Sequence, residues 1–358
     1  MTETTLPANQ WTAFLAQQAQ PAAGAGDGAG SADFVAALGS LGLLAFSGAD
    51  AASFLHNQLT NDVEHLGAGE VRLAGYCTPK GRLLATMLLW KSGDAIMLAL
   101  PRALLPAIQK RLQMFVLRSK VKVQDLSEQQ AVIGLAGGRA AAALQPWFPD
   151  APARPYAKID NAAGTLMRLA DGAGNMPRYQ WIAANDTAID AWPALSAALA
   201  PAAEAAWMLG DIQAGVPQIT LATQEKFVPQ MINFELIGGV NFKKGCYPGQ
   251  EIVARSQYLG KAKRRMMLAT VERKDANAAD AATLAPGLDI FSGDDPGQPC
   301  GMIVNAARAN DGSISCLVEI KLAAQESGAG AIHAGSADGP LLHFHPLPYS
   351  LAESAEPA

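Results

Sequence analysis

Three consecutive apolar runs constrain the fold most. VRLAGYCT (71–78), RLLATMLLW (82–90) and AIMLAL (95–100) each have strand length, and the turn signals PKG (79–81) and SGD (92–94) separate them. LGLLAF (41–46) upstream reads as a buried strand. After it, Phe54, Leu55 and Leu59 recur at helical spacing, with Ser47 or Asp50 as cap candidates. Residues 101–116 form an amphipathic helical pattern, and SKVKVQDL returns to strand. Strands and helices mix without a regular βαβ repeat, so the expected class is α+β and not a doubly wound sheet.

A second unit covers 131–200. It has strands at AVIGLAG and 164–169 and an Ala-rich helix at 188–199. A helical stretch at 207–215 leads into NFKKGCYPGQ. After Gly260 the texture changes: RMMLATVE, DIFSG, PCGMIVNAARAN and ISCLVEIK are short strands with Gly/Asp turns, the pattern of a small antiparallel barrel or sandwich. The expected organisation is an N-terminal segment and linker (1–32), a main region of two intertwined α+β subdomains (33–258), a C-terminal β-barrel (259–349) and a tail (350–358). Trp11 to Leu15 form a short docking helix ahead of the linker.

Composition excludes several classes. The 358 residues are half hydrophobic, enough for a large core in two or three structural units, and the formal charge is −5. The mild acidity disfavours a general nucleic-acid binder but leaves room for a local basic surface. The four cysteines, Cys77, Cys246, Cys300 and Cys316, show no C-x-x-C spacing, which argues against a zinc site, a four-cysteine cluster or a disulfide framework. The N-terminus lacks a signal-peptide pattern, and no apolar run approaches the roughly 18 residues of a membrane span, so a cytoplasmic protein is expected. The linker contains a G-x-G-x-x-A at 24–29, but alanines and Pro21 precede it instead of a strand, so it is no dinucleotide fingerprint.

The candidate chemistry lies in NFKKGCYPGQEIVARSQYLGKAKRRM (241–266). Gly245 and Gly249 let the backbone turn sharply and approach a ligand. Gln250 and Glu251 open a short helix, so Cys246 sits just before a helix start beside Lys243 and Lys244, features that favour a thiolate. A Gly-rich connection around an inert cysteine is the competing reading. Between 243 and 265 seven basic residues (Lys243, Lys244, Arg255, Lys261, Lys263, Arg264 and Arg265) face a single acid, Glu251, which suggests an anion-binding surface. Tyr247 and Tyr258 are candidates to stack on a flat ring. A second polar cluster, HNQLTND (56–62), holds Asn57, Gln58, Asn61 and Asp62, which capping and turn chemistry also explain. A third is the turn TPKGR with Lys80 and Arg82. His343 and His345 share a strand face but lack a third ligand, so no metal is expected.

The string K-G-C-Y-x-G-Q-E-x-x-A-R (244–255) resembles the signature of the YgfZ family of folate-binding proteins, relatives of the glycine cleavage T-protein, an aminomethyltransferase. SGADAASFLHNQLTND, PKGR, GVPQI and FVPQMINFELIGGVNFKKGC extend the similarity from about Leu41 to Lys321. The resemblance implies a T-protein-like three-part ring with a C-terminal antiparallel β-barrel and tetrahydrofolate, or a derivative, in the central opening. It also implies a role in making or repairing iron–sulfur enzymes, including one that modifies tRNA. Folate, iron–sulfur client or assembly proteins and, less favoured, RNA would be the partners, with no membrane. Cys246 is then the candidate reactive thiol. Asn57, Gln58, Asn61, Asp62, Lys80, Arg82, Gln230, Asn233, Lys244, Tyr247, Gln250, Glu251 and Arg255 become candidate ligand-binding residues. One departure matters: the T-protein's acidic residue after the PKGR-like turn has no counterpart, since no Asp or Glu lies between Lys80 and Trp90. That disfavours a tetrahydrofolate-dependent aminomethyl- or methyltransferase, which stays open beside an accessory factor and an RNA-contacting tRNA-modification factor.

Overall fold

The structure of the chain is a computed structural model that describes residues 10–18, 33–258, 262–272, 284–309, 311–326 and 331–351. The proposed linker at 19–32, Lys261 and the final residues lie outside these.

Along the chain, helix α1 (Gln10–Gln18) precedes β1 (Phe34–Ala37), β2 (Leu41–Ser47), α2 (Ala51–His56), β3 (Val71–Cys77), β4 (Leu83–Ser92), β5 (Ala95–Pro101), α3 (Leu105–Val116) and β6 (Lys122–Asp125). Next come β7 (Gln130–Ala136), α4 (Ala140–Leu144), β8 (Lys158–Asn161), β9 (Gly164–Arg168), β10 (Arg178–Ala184), α5 (Asn185–Ala198), β11 (Ala200–Pro201) and α6 (Glu204–Gln213). The last part holds α7 (Gln250–Tyr258), β12 (Arg264–Val271), β13 (Asp289–Ser292), β14 (Asp295–Arg308), β15 (Ile314–Lys321), α8 (Leu322–Glu326), β16 (Ile332–Ala334) and β17 (His343–His345).

These strands build three sheets. The first has order β3-β4-β5-β2-β6 and is antiparallel, so the three apolar runs of the sequence are adjacent strands. The second has order β11-β1-β7-β10-β9-β8. Strand β1 leaves the N-terminal side of the chain to pair with β7, which interlocks the first two sheets in sequence. The third sheet, β16-β13-β14-β15-β12-β17, is antiparallel throughout and curls as a half-barrel.

Strand β10 escaped the sequence reading, and its alternation explains why. Tyr179, Trp181 and Ala183 face one side and pack with Trp11, Trp192 and Leu195 under α1 and α5. Arg178 and Gln180 alternate with them, and polar alternation normally marks a solvent face. Here both are buried, Arg178 at 0% and Gln180 at 1% exposure. The N-terminal helix docks as expected: Trp11 meets Trp192 edge-on at 5.3 Å between ring centroids. Asp50 holds the N-cap position of α2, although its carboxylate bonds the Lys120 N–H instead of the helix.

The half-barrel is tied to the rest by a few side chains. Asn233 sits at φ 55°, a left-handed conformation that asparagine tolerates. Its Nδ2 donates to the Met266 carbonyl at 2.7 Å, and the Met266 N–H donates back to Oδ1 at 3.4 Å. Asn305 of β14 makes a similar two-way bond with the backbone of Gln218, at 2.9 Å each way. Asn233→Ala strands two buried backbone groups and removes a residue suited to left-handed backbone. A loss of about 2–3 kcal/mol in urea unfolding is expected.

Candidate functional site

Three sequence clusters that are distant in the chain meet in one place. Thr60 Oγ1 donates to the Gly239 carbonyl at 2.6 Å and accepts from the Gly75 N–H at 2.7 Å. Asn61 Nδ2 bridges the carbonyls of Leu73 and Gly238, 2.7 Å from each. The Asn241 N–H donates to the Thr60 carbonyl. HNQLTND therefore clamps the segment that leads into the Cys246 loop.

Lys244 completes the clamp. Its ammonium donates to the carbonyls of His56 and Leu59 at the end of α2, where orphan carbonyls need donors, and it lies 4.7 Å from the Tyr247 ring centroid. Burial pushes its pKa down to about 8, against the attraction of Asp62 and Cys246. The TPKGR turn packs beneath. Gly249 has φ +83°, and a Cβ there would lie 2.6 Å from the Gly81 N and closer still to the Thr78 carbonyl. Gln230 donates to the Val253 carbonyl at 2.8 Å, under α7. Arg82 donates to the Lys226 carbonyl.

The predicted residues thus divide in two. Asn61, Gln230, Asn233, Lys244 and Tyr247 are buried; the first four spend polar groups on backbone, while the Tyr247 hydroxyl has no partner and burial pushes its pKa up. Gln58 keeps a buried, unbonded Oε1. Cys246, Lys80, Glu251, Arg255 and Asn57 are exposed, while Arg82, Asp62 and Gln250 are half-buried. The outcome is a held loop that presents one thiol to solvent, ahead of a helix that exposes Ile252 and Tyr258. The helix expected at Gln250 forms as α7.

Two expectations need correction. Arg264 is bidentate on the buried Glu319 at 2.7 and 2.6 Å, and Arg265 pairs with Glu235 inside the protein. The basic run is therefore internal wiring of the half-barrel at those positions and not an anion-binding surface. Tyr247 is not a free stacking face, because its ring lies inward under the Lys244 ammonium. His343 and His345 lie on β17, and no group of three metal-binding side chains exists among the described residues.

The largest chemical surprise is a cavity that contains none of the predicted residues. It has about 610 Å³ of non-atom space, most of it in the open mouth. The first sheet contributes Leu73, Thr86 and Leu88, the second Arg178 and Gln180, α6 Trp207 and Asp211, and the segment held by Asn305 supplies Gln218. Glycines shape it. A Cβ on Gly134 would lie 2.5 Å from the Trp207 indole, and one on Gly210 would lie 2.7 Å from Arg178 Nε.

The cavity has one carboxylate, and it is paired. Arg178 donates to Asp211 at 2.7 Å and to the Trp207 carbonyl at 3.1 Å, and its guanidinium lies 4.1 Å from the Trp207 ring centroid. Burial raises the Asp211 pKa, against the pull of Arg178. Gln180 Nε2 and Arg178 Nε are buried donors without a partner. Tyr156 lines the wall at φ +60°, a strained conformation for an aromatic residue of the kind that clusters at ligand sites. With Leu73 it also lines a neighbouring hollow that reaches Asn61, Asp62, Arg72 and Asn241, so cavity and clamp are contiguous.

Comparison with known proteins fits this geometry. The chain is 28% identical over 311 residues to the tRNA-modifying protein YgfZ of Escherichia coli O17:K52:H18 (strain UMN026 / ExPEC), covering 87% of this chain and 91% of that protein. The same figures hold for the tRNA-modifying protein YgfZ of Shigella boydii serotype 18 (strain CDC 3083-94 / BS512). The chain is thus similar to YgfZ proteins over most of its length. Residues 35–166 match the family model described as the GCVT N-terminal domain. The crystal structure of glycine cleavage system aminomethyltransferase T from Bartonella henselae superposes with a TM-score of 0.71 at 16% identity, over 90% of this chain and 88% of that one. The chain therefore has the T-protein fold.

Two measurements check the clamp. Gly249→Ala forces a left-handed backbone and a clash with the TPKGR turn, and is expected to cost about 2 kcal/mol or more in chemical denaturation. The folded chain releases the Lys244 proton near pH 8, whereas the unfolded chain holds it to the model value of 10.5. The unfolded state then binds more protons in that window, so this group's contribution to stability rises with pH between 8 and 10.5. Lys244→Met should remove that rise from the pH dependence of unfolding.

Proposed function

We propose that this chain is a folate-binding accessory protein that supports the synthesis or repair of iron–sulfur enzymes, tRNA-modifying ones among them, with Cys246 as its working thiol. The observation that carries the folate reading is the buried, unbonded Gln180 Nε2 in the cavity that Trp207 also lines. A buried donor without a partner costs about 1–3 kcal/mol, and a ligand acceptor at that point recovers it. A pterin offers ring nitrogen and carbonyl acceptors for the unbonded Gln180 Nε2 and Arg178 Nε, so the donors present suit tetrahydrofolate. When bound, that group supplies one-carbon chemistry; the protein's own part is to hold the ring and exclude water.

The accessory reading is favoured over aminomethyl transfer by the cavity's acid content. Strand β4 offers Thr86, Met87 and Leu88 to it, and the sole carboxylate among the lining residues, Asp211, is neutralised by Arg178. No Asp or Glu lies between Lys80 and Trp90, and the cavity's one lining carboxylate is paired, so neither place offers a free proton-handling carboxylate. The relatives' description as tRNA-modifying proteins supports a role connected with tRNA modification. The cationic side chains outside, Lys80, Lys243 and Arg255, suit the anionic glutamate end of a folate.

Calorimetric titration with tetrahydrofolate tests this. Saturable binding is expected, weakened tenfold or more by Trp207→Ala and Gln180→Leu and only modestly by Arg255→Ala. Binding that survives both cavity variants and vanishes with Arg255→Ala would move the ring to the loop. Cys246→Ser is expected to bind folate normally yet fail to restore activity of a tRNA-modifying iron–sulfur enzyme in cells lacking the protein.

A further inference from the structure

The polar cluster at 56–62 contains a residue that neither clamp nor cavity uses. His56 is the last residue of α2 and is buried to 7% exposure. Its Nδ1 lies 3.0 Å from Asp62 Oδ1. That carboxylate fixes the tautomer: Nδ1 donates the proton, and Nε2 keeps a lone pair. Nε2 faces the thiol loop, since a Cβ on Gly245 would sit 3.4 Å from it. No described residue hydrogen-bonds it.

We propose that His56, oriented by Asp62, is the proton acceptor of Cys246, and that the three form a thiol-activating relay for exchange with a disulfide on a partner macromolecule. The S–H proton passes to His56 Nε2, across a water if needed, since resting distances in such sites are often loose. Asp62 stabilises the imidazolium that results. The thiolate attacks one sulfur of the partner disulfide; a new S–S bond forms as the old one breaks, and the departing thiolate takes the proton from His56. Electrons balance without an external oxidant, because exchange conserves the number of disulfides. A macromolecular partner follows from the exposed position of Cys246 on a held loop, in a segment whose following helix also exposes Ile252 and Tyr258.

The charges facing His56 are consistent with this role. Asp62 shares its second oxygen with the exposed His65 at 2.8 Å, and Glu64 lies 4.0 Å from Nδ1. Burial pushes the Asp62 carboxyl up, but the hydrogen bonds from the His65 backbone and imidazole hold it below its usual value, so it stays ionised at neutral pH. Lys244 donates to the His56 carbonyl, places its cation close to Cys246, and holds helix and loop together.

The inference rests on the reading of Cys246 as the working thiol. Its test is stopped-flow reaction of the full chain with 4,4′-dithiodipyridine, an uncharged disulfide. Cys77, Cys300 and Cys316 are buried, so one thiol reacts in the folded protein. His56→Gln is expected to slow that reaction at least fivefold at pH 7 and less than twofold at pH 10, where any thiol ionises unaided. Asp62→Asn is expected to lie between the two. Equal rates for wild type and His56→Gln at pH 7 overturn the relay. A misfolded variant announces itself by more than one reacting thiol; the relay is then decided in the wild type, where blocking Cys246 with iodoacetamide must change the His56 imidazole NMR titration, and an unchanged titration overturns it. Loss of cellular function in Cys246→Ser together with equal rates would leave the thiol reading intact and remove only His56.

Discussion

The ammonium of Lys244, buried against the carbonyls that end α2, is the interaction on which the candidate site depends. A cation taken out of water needs donors' partners close at hand, and a helix end supplies them ready-made. The same contact fixes the loop to the polar cluster and sets Gly245 against His56. Gly249 locks the other end by letting the TPKGR turn approach its backbone. Most of the signature string is therefore architecture, and the thiol is what the architecture presents.

The cavity works on a different principle. Its walls come from two sheets and α6, and its polar groups are pre-placed: an ion pair under an indole, and an amide with nothing to bond. Such an arrangement suits a flat, hydrogen-bonding ring, because the cost of burying the donors is already paid by the fold. Tyr156 and Leu73 line both this space and the hollow beside the clamp.

Much of the fold was legible in the sequence. The three apolar runs became β3, β4 and β5, and the change of texture after Gly260 became the half-barrel, because hydrophobic period and turn residues report local structure directly. Strand β10 was not legible, since the polar members of RYQWIAA face an internal cavity and mimic a solvent face. For the same reason Arg178, Gln180 and Asp211 went unseen: lone polar residues in apolar segments carry no spacing pattern. The basic run misled in the opposite sense. Charge counted along the chain cannot reveal that Arg264 and Arg265 meet Glu319 and Glu235 from distant segments. His56 was noticed only as part of a cap-like cluster, since its place against Gly245 is defined by folding of a loop nearly two hundred residues later.

The central claim is that ligand binding and thiol chemistry occupy neighbouring but separate places. The most direct measurement is a crystal structure of the full chain with tetrahydrofolate bound. The account predicts the pterin ring in the cavity lined by Trp207, with one of its acceptors within hydrogen-bond distance of Gln180 Nε2, and Cys246 still open to solvent. A ring seated on the 243–255 loop, with Gln180 and Trp207 untouched, would contradict it.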